Sequence, residues 1–487
     1  MNDSFIQLSD VVPRIYGLDF PSAINWNIKK GEQWCVIGRN GTGKSLLADL
    51  LLGRYGVKSG TIDYNFWNEE CRKQTGKTYP SETIRKVGFE SAYLLSDYKN
   101  MYYQQRFNAL ENEFTPTVED LISSLPDKLY ANELCERFHL NSLYPKHLIM
   151  LSSGELRRLL IVLALAQHPQ LIIFDNPFIG LDAAMRCELD DFFVEMSEFQ
   201  QMMFLVPSVS EMPKATTHVL KSDSLHYEVI GSIKDFREKE WMDEKTKSEN
   251  HLIELPQALS RQTNSYQYVL RMKNINISYQ GVTLFRNLNW DVKRGEKWAL
   301  LGQNGSGKST LLSLLVADNP RAYSLDITIF DRKRGTGESI WDIKKPIGYI
   351  SSEMHLYFRE NQTCLKIVSS GFFDTMGLFG KCSDEQQQIA LEWMKLLGID
   401  SLKDRSYLKL SSGEQRLILL ARTMVKNPDL LILDEPLHGL DAQNKSRCRA
   451  VIEKFCEQGG KTLIYVTHRR EEIPSCVTLT YELKKES

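Results

Sequence analysis

The amino-acid sequence predicts an α/β protein with two homologous domains in tandem, each built on a mainly parallel β-sheet. The first observation is an internal repeat of three motifs, which occur twice in the same order and at nearly the same separation. The second observation is a set of short, continuous apolar runs, which are typical of parallel strands buried on both faces. The repeated motifs are GRNGTGKS and GQNGSGKS (from Gly38 and Gly302), LSSGE (from Leu151 and Leu410), and LIIFDNPFIGLD and LLILDEPLHGLD (from Leu171 and Leu430).

The repeat divides the chain into a first domain at residues 1–235 and a second domain at residues 265–487. Residues 236–264 are rich in charged and polar side chains and lack a sustained apolar period, which indicates a linker. Two interpretations of the linker stay open. It is either flexible and loosely helical, or it carries a short docked helix around Asp235–Trp241.

Composition excludes several classes of function. The 487 residues are 42% hydrophobic and 25% charged, with a formal net charge of −2, so the chain has no strong signal for nucleic-acid binding. The nine cysteines form no CxxC pair, which argues against zinc sites and favours reduced thiols in the core of a cytosolic protein. The N-terminus MNDSFIQLSD does not resemble a signal peptide, and no run of eighteen apolar residues occurs. We therefore expect a cytoplasmic protein.

The motif GxxxxGK[ST] follows an apolar strand and precedes a Leu-rich helix in both halves. Such a loop wraps a phosphate chain with its backbone N–H groups, and the start of the helix adds a favourable dipole. Lys44 and Lys308 would reach the β- and γ-phosphates, while Ser45 and Ser309 would bind Mg²⁺. An accidental glycine-rich turn is the alternative, and its recurrence in the same context argues against it. The other predicted ATP-binding residues of the two loops are Gly38, Asn40, Gly41 and Gly43, and Gly302, Asn304, Gly305, Gly307 and Thr310.

An acidic residue ends the next predicted buried strand in each half. Asp175 and Asp434 would bind Mg²⁺, and Glu435 would orient or deprotonate the attacking water. A helix cap is the alternative explanation for an acidic pair after a strand. The acidic residues have the same spacing from LSSGE and GLD in both halves, and this argues against a helix cap.

The set of motifs resembles that of the ATP-binding-cassette (ABC) ATPases. LSSGE is similar to the ABC signature, GLD at Gly439–Asp441 to the D-loop, and VTH at Val466–His468 to the strand that ends in the switch histidine. The resemblance covers nearly the whole chain. It implies two P-loop NTPase domains, each with a helical subdomain that carries the signature.

In that family two cassettes pack head to tail, and each ATP lies between the P-loop of one cassette and the signature of the other. The resemblance implies one site with Lys308, Ser309, Asp434, Glu435 and His468 opposite Ser152, Ser153 and Gly154. It implies another with Lys44, Ser45 and Asp175 opposite Ser411, Ser412 and Gly413. Tyr279 is a candidate for stacking on adenine, with a core tyrosine as an equal alternative, and Tyr16 is its candidate counterpart in the first domain.

The two halves differ at catalytic positions. Asn176 stands where the second half has Glu435, and an amide is a poor general base because it cannot accept a proton from water. Aligning SEMP, from Ser210, with EEIP, from Glu471, places Pro207 opposite His468. We therefore predict that the site with the second domain's Lys308, Glu435 and His468 hydrolyses ATP, whereas the other binds ATP and hydrolyses it slowly if at all.

Two classes of function remain. Residues Ser324–Arg359 resemble a subgroup of tandem ABC proteins associated with molybdate transport and with photorepair, which favours an ATPase subunit that works with a separate transmembrane partner at the inner face of the membrane. The usual Q-loop glutamine is missing, because Ser352 and Ala92 take its place in our alignment, and this favours a soluble switch that acts on a ribosome or on DNA repair. The short, mixed-charge linker and the lack of zinc-binding cysteine pairs favour the transport-associated role.

Overall fold

A computed structural model describes residues 3–88, 116–148, 151, 153–179, 181, 183–236, 254–257, 265–279, 282–302, 306–351, 354, 358 and 361–484. The described residues up to Phe236 belong to one compact unit, and those at 254–438 and from Gln443 onward belong to a second. The short segment Gly439–Ala442 is grouped with the first unit. The linker between the two domains lies mostly outside these ranges, so the predicted boundaries at 235 and 265 stay a prediction. Both interpretations of the linker also concern residues that mostly lie outside the described part.

The first unit contains strands from both a parallel and an antiparallel sheet, together with the helices that follow the strands. Its strands are β1 (Ser4–Pro13), β2 (Ile24–Lys29), β3 (Trp34–Ile37), β4 (Val57–Tyr64), β5 (Ile84–Gly88), β6 (Leu171–Asp175), β7 (Gln201–Val206), β8 (His218–Asp223) and β9 (His226–Ser232). Its helices are α1 (Lys44–Leu51), α2 (Glu69–Thr75), α3 (Val118–Ser123), α4 (Lys128–Arg137), α5 (Ser153–Leu165) and α6 (Ala183–Met196).

The second unit repeats this pattern. Its strands are β10 (Tyr268–Tyr279), β11 (Val282–Lys293), β12 (Lys297–Gly302), β13 (Asp326–Ile329), β14 (Arg332–Lys333), β15 (Ile347–Ile350), β16 (Leu430–Asp434), β17 (Thr462–Val466) and β18 (Leu479–Leu483). Its helices are α7 (Lys308–Leu315), α8 (Ile340–Lys344), α9 (Cys364–Ser369), α10 (Asp384–Leu396), α11 (Ser412–Met424) and α12 (Ala442–Cys456). Short 3₁₀ turns lie at Pro80–Thr83, Asn141–Leu143, Val209–Glu211, Pro320–Ser324, Ser370–Phe373, Asp400–Leu402, Tyr407–Lys409 and Arg470–Glu472.

The predicted α/β class with mainly parallel sheets is confirmed in both units. The central sheet of the first unit has the order β5-β6-β7-β3-β8-β9, and only β9 runs antiparallel to its neighbour. The central sheet of the second unit has the order β15-β16-β17-β12-β18 and is parallel throughout. All five residues of β16 are buried, as expected for a strand covered on both faces.

Each unit also has a smaller antiparallel sheet that the sequence did not predict. The orders are β2-β1-β4 in the first unit and β11-β10-β13-β14 in the second. Register shifts interrupt the pairing, for example between Leu8 and Val11 on β1 and between Met272 and Ile275 on β10. Such β-bulges disrupt the two-residue alternation of apolar side chains, which explains why these strands are hard to recognise in the sequence.

A helical subdomain in each unit carries the LSSGE segment. In the second unit α9 and α10 pack on α11, with Ile367, Trp393 and Leu420 buried. In the first unit α4 packs on α5, with Leu134 and Leu159 buried in one continuous apolar cluster. The start of each LSSGE helix is therefore held by a core of its own.

The cysteines and the helices bear on the expected location of the protein. None of the nine cysteines, all of which lie in the described ranges, forms a disulfide bond, and most are buried. Cys187 on α6 is exposed, so the interpretation of the cysteines as core thiols is wrong for that residue. None of the helices in the described ranges combines the length and the apolar character needed to cross a bilayer.

The contact between the turn Ser370–Phe373 and α11 leads to a prediction about stability. A Cβ on buried Gly371 would overlap the backbone carbonyl oxygen of Arg422 on α11, and backbone cannot move aside as a flexible side chain can. We expect Gly371→Ala to lower the free energy of unfolding of the second unit by about 1–3 kcal/mol, measured by urea denaturation with circular dichroism. Gly380→Ala is the control, because its Cβ would meet nothing within 4 Å. Equal effects of the two changes would contradict the packing described here.

Candidate nucleotide-binding sites

The glycine-rich loops lie at the carboxyl ends of β3 and β12, where helices α1 and α7 begin. Gly43 and Gly307 precede these helices with φ angles of 106° and 92°, a region that favours glycine. A Cβ would lie 2.5 Å from the Tyr227 hydroxyl at Gly43 and 2.7 Å from the Phe285 ring at Gly307. Both glycines are therefore required by backbone conformation and by the space available for a Cβ. Asn40 and Gly41 lie in the first loop.

Two residues that the sequence did not point to support the first loop from behind. The Ser222 hydroxyl donates to the carbonyl of Thr42 at 3.0 Å, and the Tyr227 hydroxyl donates to that of Gly43 at 2.8 Å. Burial raises the pKa of Tyr227 well above its usual range, which keeps its hydroxyl a neutral donor. These bonds come from β8 and β9, and their long sequence separation explains why no local pattern reveals them.

The two lysines of the loops are held by loop carbonyl groups. Lys44 Nζ donates to the carbonyl oxygens of Gly38 at 2.6 Å and of Arg39 at 2.7 Å. Lys308 Nζ donates to the carbonyl of Gly302 at 2.6 Å. Each ammonium group thus lies within its own loop, where it can contact the oxygens of a bound phosphate chain.

Ser45 and Ser309, which follow these lysines, differ in their contacts and exposure. The Ser45 hydroxyl donates to Asp175 Oδ2 at 3.1 Å, so the structure brings together the two predicted Mg²⁺ ligands of the first unit. In the second unit Ser309 is exposed at the start of α7, Thr310 follows it, and Asp434 is buried at the end of β16. Hydroxyl and carboxylate oxygens are suited to Mg²⁺, so Ser309 and Asp434 fit that ion. Of the predicted loop residues, Asn304 and Gly305 lie outside the described part.

Glu435 and His468 of the second unit contact each other through both side-chain and backbone atoms. Glu435 Oε1 accepts a hydrogen bond from the backbone N–H of His468 at 3.0 Å and lies 2.8 Å from His468 Nδ1. Glu435 Oε2 has a longer contact, 3.4 Å, with the Thr467 hydroxyl. The side chains of Glu435 and His468 are 12% and 9% exposed, so water screens the pair weakly. His468 Nε2 is buried and has no hydrogen-bond partner within the described ranges.

The backbone at Glu435 is strained. Its φ angle is 51°, a left-handed conformation that costs free energy for a residue with a long side chain. The backbone N–H of Glu435 donates to the carbonyl of Val466 at 2.9 Å, which anchors this conformation to the end of β17. The strained residue is therefore held in one position relative to His468.

The corresponding positions of the first unit lack both groups. Asp175 pairs with Leu205, and Asp434 pairs with Val466, so Pro207 and His468 occupy equivalent positions two residues further on. Asn176 has nearly the same backbone as Glu435, with a φ angle of 52° and an N–H bond to the Leu205 carbonyl. Its Nδ2 donates to Asp175 Oδ1 at 3.3 Å. The strand register thus gives the same alignment as the sequence.

The strand register corrects our alignment of the Q-loop position. Ile84 pairs with Leu171 and Ile347 pairs with Leu430, which makes Ile84 the counterpart of Ile347. Arg85, and not Gly88, then corresponds to Gly348, whereas Ala92 and Ser352 themselves lie outside the described residues. The error arose because Gly88 was matched with Gly348. Gly88 lies opposite Asp175, whereas Gly348 lies opposite Leu431.

The LSSGE segment of the second unit begins a helix. Ser411 caps α11, and its hydroxyl donates to Glu414 Oε2 at 2.7 Å while Ser412 and Gly413 form the first turn. The backbone N–H groups of this first turn lie at the N-terminus of α11, where unpaired N–H groups and the helix dipole stabilise an anion. In the first unit Ser153 and Gly154 begin α5, their side chains lie outside the described part, and so does Ser152.

A buried arginine follows each LSSGE motif, and the sequence analysis missed it. Burial lowers the pKa of Arg416 to about 10, while the charges of Glu435 and Asp434 oppose this shift. Burial also lowers the pKa of Arg157 to about 10, and Asp175 opposes it. Arg416 donates to the backbone carbonyl of His438. Burial, together with the nearby charge of Arg416, lowers the pKa of the His438 side chain well below its usual range. The signal was present in the sequence, because both copies carry arginine three residues after the motif's glycine.

Tyr279 and Tyr16, the two candidates for stacking on adenine, stay predictions. Tyr279 is the last residue of β10, and its side chain is outside the described part. Tyr16 lies in the turn after β1 and is fully exposed, so it is not a core residue.

Comparisons with known proteins agree with this arrangement. The family model described as ABC transporter matches residues 22–179 and 285–438. The ABC transporter ATP-binding protein ModF of Escherichia coli (strain K12) is 33% identical over 93% of this chain and 91% of its own length. An uncharacterized ABC transporter ATP-binding protein of Schizosaccharomyces pombe is 27% identical over 93% of this chain and 92% of its own.

A solved structure shares the fold. It is described as a model of ribosome-bound archaeal Pelota and ABCE1, with a TM-score of 0.54 and 18% identity. The match covers 96% of this chain and 74% of that chain. At this identity the likeness shows the fold alone. The family prediction is confirmed by the two matched segments, which lie one in each unit and together cover more than half of the sequence, and this chain belongs to the ABC transporter family as a tandem ATP-binding protein.

Proposed function

We propose that the protein is a Mg²⁺-dependent ATPase in which one site hydrolyses ATP and the other retains it. The hydrolytic site is built on Lys308, Ser309, Asp434, Glu435 and His468. The observation that carries the proposal is the contact of Glu435 with His468, together with the presence of Asn176 and Pro207 at the same positions of the first unit.

The two carboxylate oxygens of Glu435 are engaged to different degrees. Oε1 accepts the bond from the His468 backbone and lies against Nδ1, whereas Oε2 has only the longer contact with Thr467. Oε2 is therefore the oxygen suited to take a proton from water. As that O–H bond breaks, the water oxygen bonds to the γ-phosphorus, and the bond from phosphorus to the leaving ADP oxygen breaks.

The remaining groups hold the reactants. Lys308 contacts the β- and γ-phosphates, and Ser309 and Asp434 hold Mg²⁺, which when bound neutralises charge on the phosphate oxygens. A proton on His468 Nδ1 donates to the carboxylate and orients it.

We further propose that each ATP is completed by the signature of the other half, as the family resemblance implies. The hydrolytic site would then use Ser152, Ser153 and Gly154. The retaining site, with Lys44, would use Ser411, Ser412 and Gly413. The amide groups at the start of α11 support this role, since they suit an anionic γ-phosphate.

The physiological role we propose is that of an ATPase subunit for a separate transmembrane partner. Support comes from the relatives of similar length, which are named as ABC transporter ATP-binding proteins. A soluble switch on the ribosome or in DNA repair is the alternative, and it is an outcome of the third test below.

The first test compares equivalent positions of the two units. We expect Glu435→Gln to lower kcat for ATP by about 10²–10⁴-fold, because the amide cannot take the proton. Asn176→Ala is the matched change in the first unit, and it should leave kcat within about twofold, because removing an amide takes away no general base. Phosphate release by the purified chain measures both. Similar losses in the two variants would refute the assignment of one hydrolytic site.

A second test concerns the histidine. We expect His468→Ala to lower kcat by about 10²–10³-fold, because Glu435 loses the contact that orients it as a general base. Pro207→Ala is the control at the equivalent position and should have little effect. ATP binding by His468→Ala, followed by equilibrium dialysis, should stay close to that of the parent chain. A loss of binding without a loss of kcat would contradict the catalytic role.

The third test addresses the partner. The variant Glu435→Gln should hold ATP and trap the partner-bound state, whereas Lys44→Ala combined with Lys308→Ala should not. Affinity purification from detergent-solubilised cells should recover a transmembrane protein with the first variant only. ATP-dependent co-sedimentation with ribosomes, or recovery of DNA-repair proteins, without a membrane protein would show that the switch is the correct alternative.

A further inference from the structure

A lysine contacts the acidic residue of the first unit. Lys86 lies on β5, and its Nζ is 3.0 Å from Asp175 Oδ2 and 3.8 Å from Asp49 Oδ1. Asp175 Oδ2 is also the oxygen that accepts the bond from Ser45. The side chains of Lys86 and Asp175 are only 17% and 18% exposed, so water screens their attraction weakly. The ammonium group therefore lies among the residues that were predicted to bind Mg²⁺.

The second unit has neutral side chains at both equivalent positions. Lys86 pairs with Ile173 and Tyr349 pairs with Ile432, so Tyr349 stands where the first unit has Lys86. Ser313 follows Lys308 by the same number of residues as Asp49 follows Lys44. Its hydroxyl donates to the Thr310 carbonyl of its own helix at 2.6 Å. The first unit thus has a cation beside Asp175 and a second carboxylate near it, Asp49, whose Oδ1 also accepts from Arg54 at 2.9 Å. These two positions of the second unit supply neither.

The residues of the first unit do not fit a divalent cation in this arrangement. Mg²⁺ requires oxygen ligands at about 2.0–2.1 Å in near-octahedral geometry. Here the same carboxylate oxygen is shared between the Lys86 ammonium and the Ser45 hydroxyl. A metal ion on that oxygen would lie next to a positive charge, and at low exposure the repulsion between the two is large. Binding of the metal would require Lys86 to leave both Asp175 and Asp49.

We propose that the Lys86 ammonium takes the place of the divalent cation in the first unit, so that this site retains ATP without a metal ion. Lys86 neutralises Asp175, which would otherwise repel a metal-free triphosphate, and Lys44 contacts the phosphates directly. The proposal rests on the proposed function, in which the first unit binds ATP. Slow hydrolysis at the retaining site would then have two causes. Asn176 cannot act as a general base, and no divalent ion would neutralise charge on the leaving phosphate oxygen.

Counting bound metal ions tests this inference. The full chain with Glu435→Gln is loaded with ATP and Mn²⁺, which replaces Mg²⁺ and is visible by electron paramagnetic resonance. We expect two nucleotides but one Mn²⁺ per chain. Adding Lys86→Tyr, which introduces the residue of the second unit, should raise the count to two Mn²⁺ with two nucleotides. Lys86→Arg keeps a cation at this position and should leave the count at one.

Each other result overturns a defined statement. Two Mn²⁺ and two nucleotides in the Glu435→Gln chain would overturn the inference and leave the proposed function intact. One Mn²⁺ with two nucleotides in the Lys86→Tyr chain would show that Lys86 is not what excludes the metal. A single nucleotide in the Glu435→Gln chain would overturn the proposed retaining site and this inference together. Two nucleotides in the Lys86→Tyr chain also show that the variant is folded.

Discussion

In both units a backbone hydrogen bond continues the ladder between two parallel strands past the acidic end of one of them. The N–H of Glu435 donates to the Val466 carbonyl at 2.9 Å, and that of Asn176 donates to the Leu205 carbonyl at 3.0 Å. This bond fixes Glu435 against the end of β17, and Asn176 against the end of β7. The side chains at these strand ends are the ones that can contact residues 435 and 176. Because the backbone at residues 176 and 435 is nearly the same, the chemical difference between the units comes from the amide at Asn176 and from Pro207, which lacks both an imidazole and a backbone N–H.

Much of this arrangement could be predicted because its signals are local. The glycine-rich loops, the acids at Asp175 and Asp434, and the exchange of Glu435 for Asn176 are each contained in a few consecutive residues. The strand register gives the same alignment of Pro207 with His468, because each lies two residues after the residue that pairs with the acid. Contacts that join distant segments could not be predicted in this way.

Three kinds of feature were missed for that reason. The antiparallel sheets are interrupted by bulges, which hide the alternation of buried and exposed residues. The Q-loop alignment failed because matching glycines are weaker evidence than strand register. The contact of Lys86 with Asp175 joins two strands that are adjacent in the sheet but far apart in the sequence. A lysine in a short strand gives no sign by itself of what it faces.

The buried arginines show that charge is retained beneath the acids in both units. Burial lowers the pKa of Arg416 and of Arg157 to about 10, which still leaves both charged at neutral pH. The charges of Asp175 near Arg157, and of Asp434 and Glu435 near Arg416, oppose this lowering of the arginine pKa. The first unit has this arginine, although Asn176 and Pro207 stand in place of the glutamate and the histidine. Asp175 therefore interacts electrostatically with a buried arginine in the first unit, as Asp434 does in the second.

The left-handed backbone at residues 176 and 435 has a consequence for how such a protein evolves. Asparagine tolerates that conformation well, whereas glutamate is strained in it and is held there by the end of the next strand. A mutation that restored only the carboxylate at Asn176 would bring back the strain without a histidine at Pro207 to hold it. Under the proposed asymmetry, a second hydrolytic site would therefore need changes at both position 176 and position 207, which selection acting on single mutations does not readily supply.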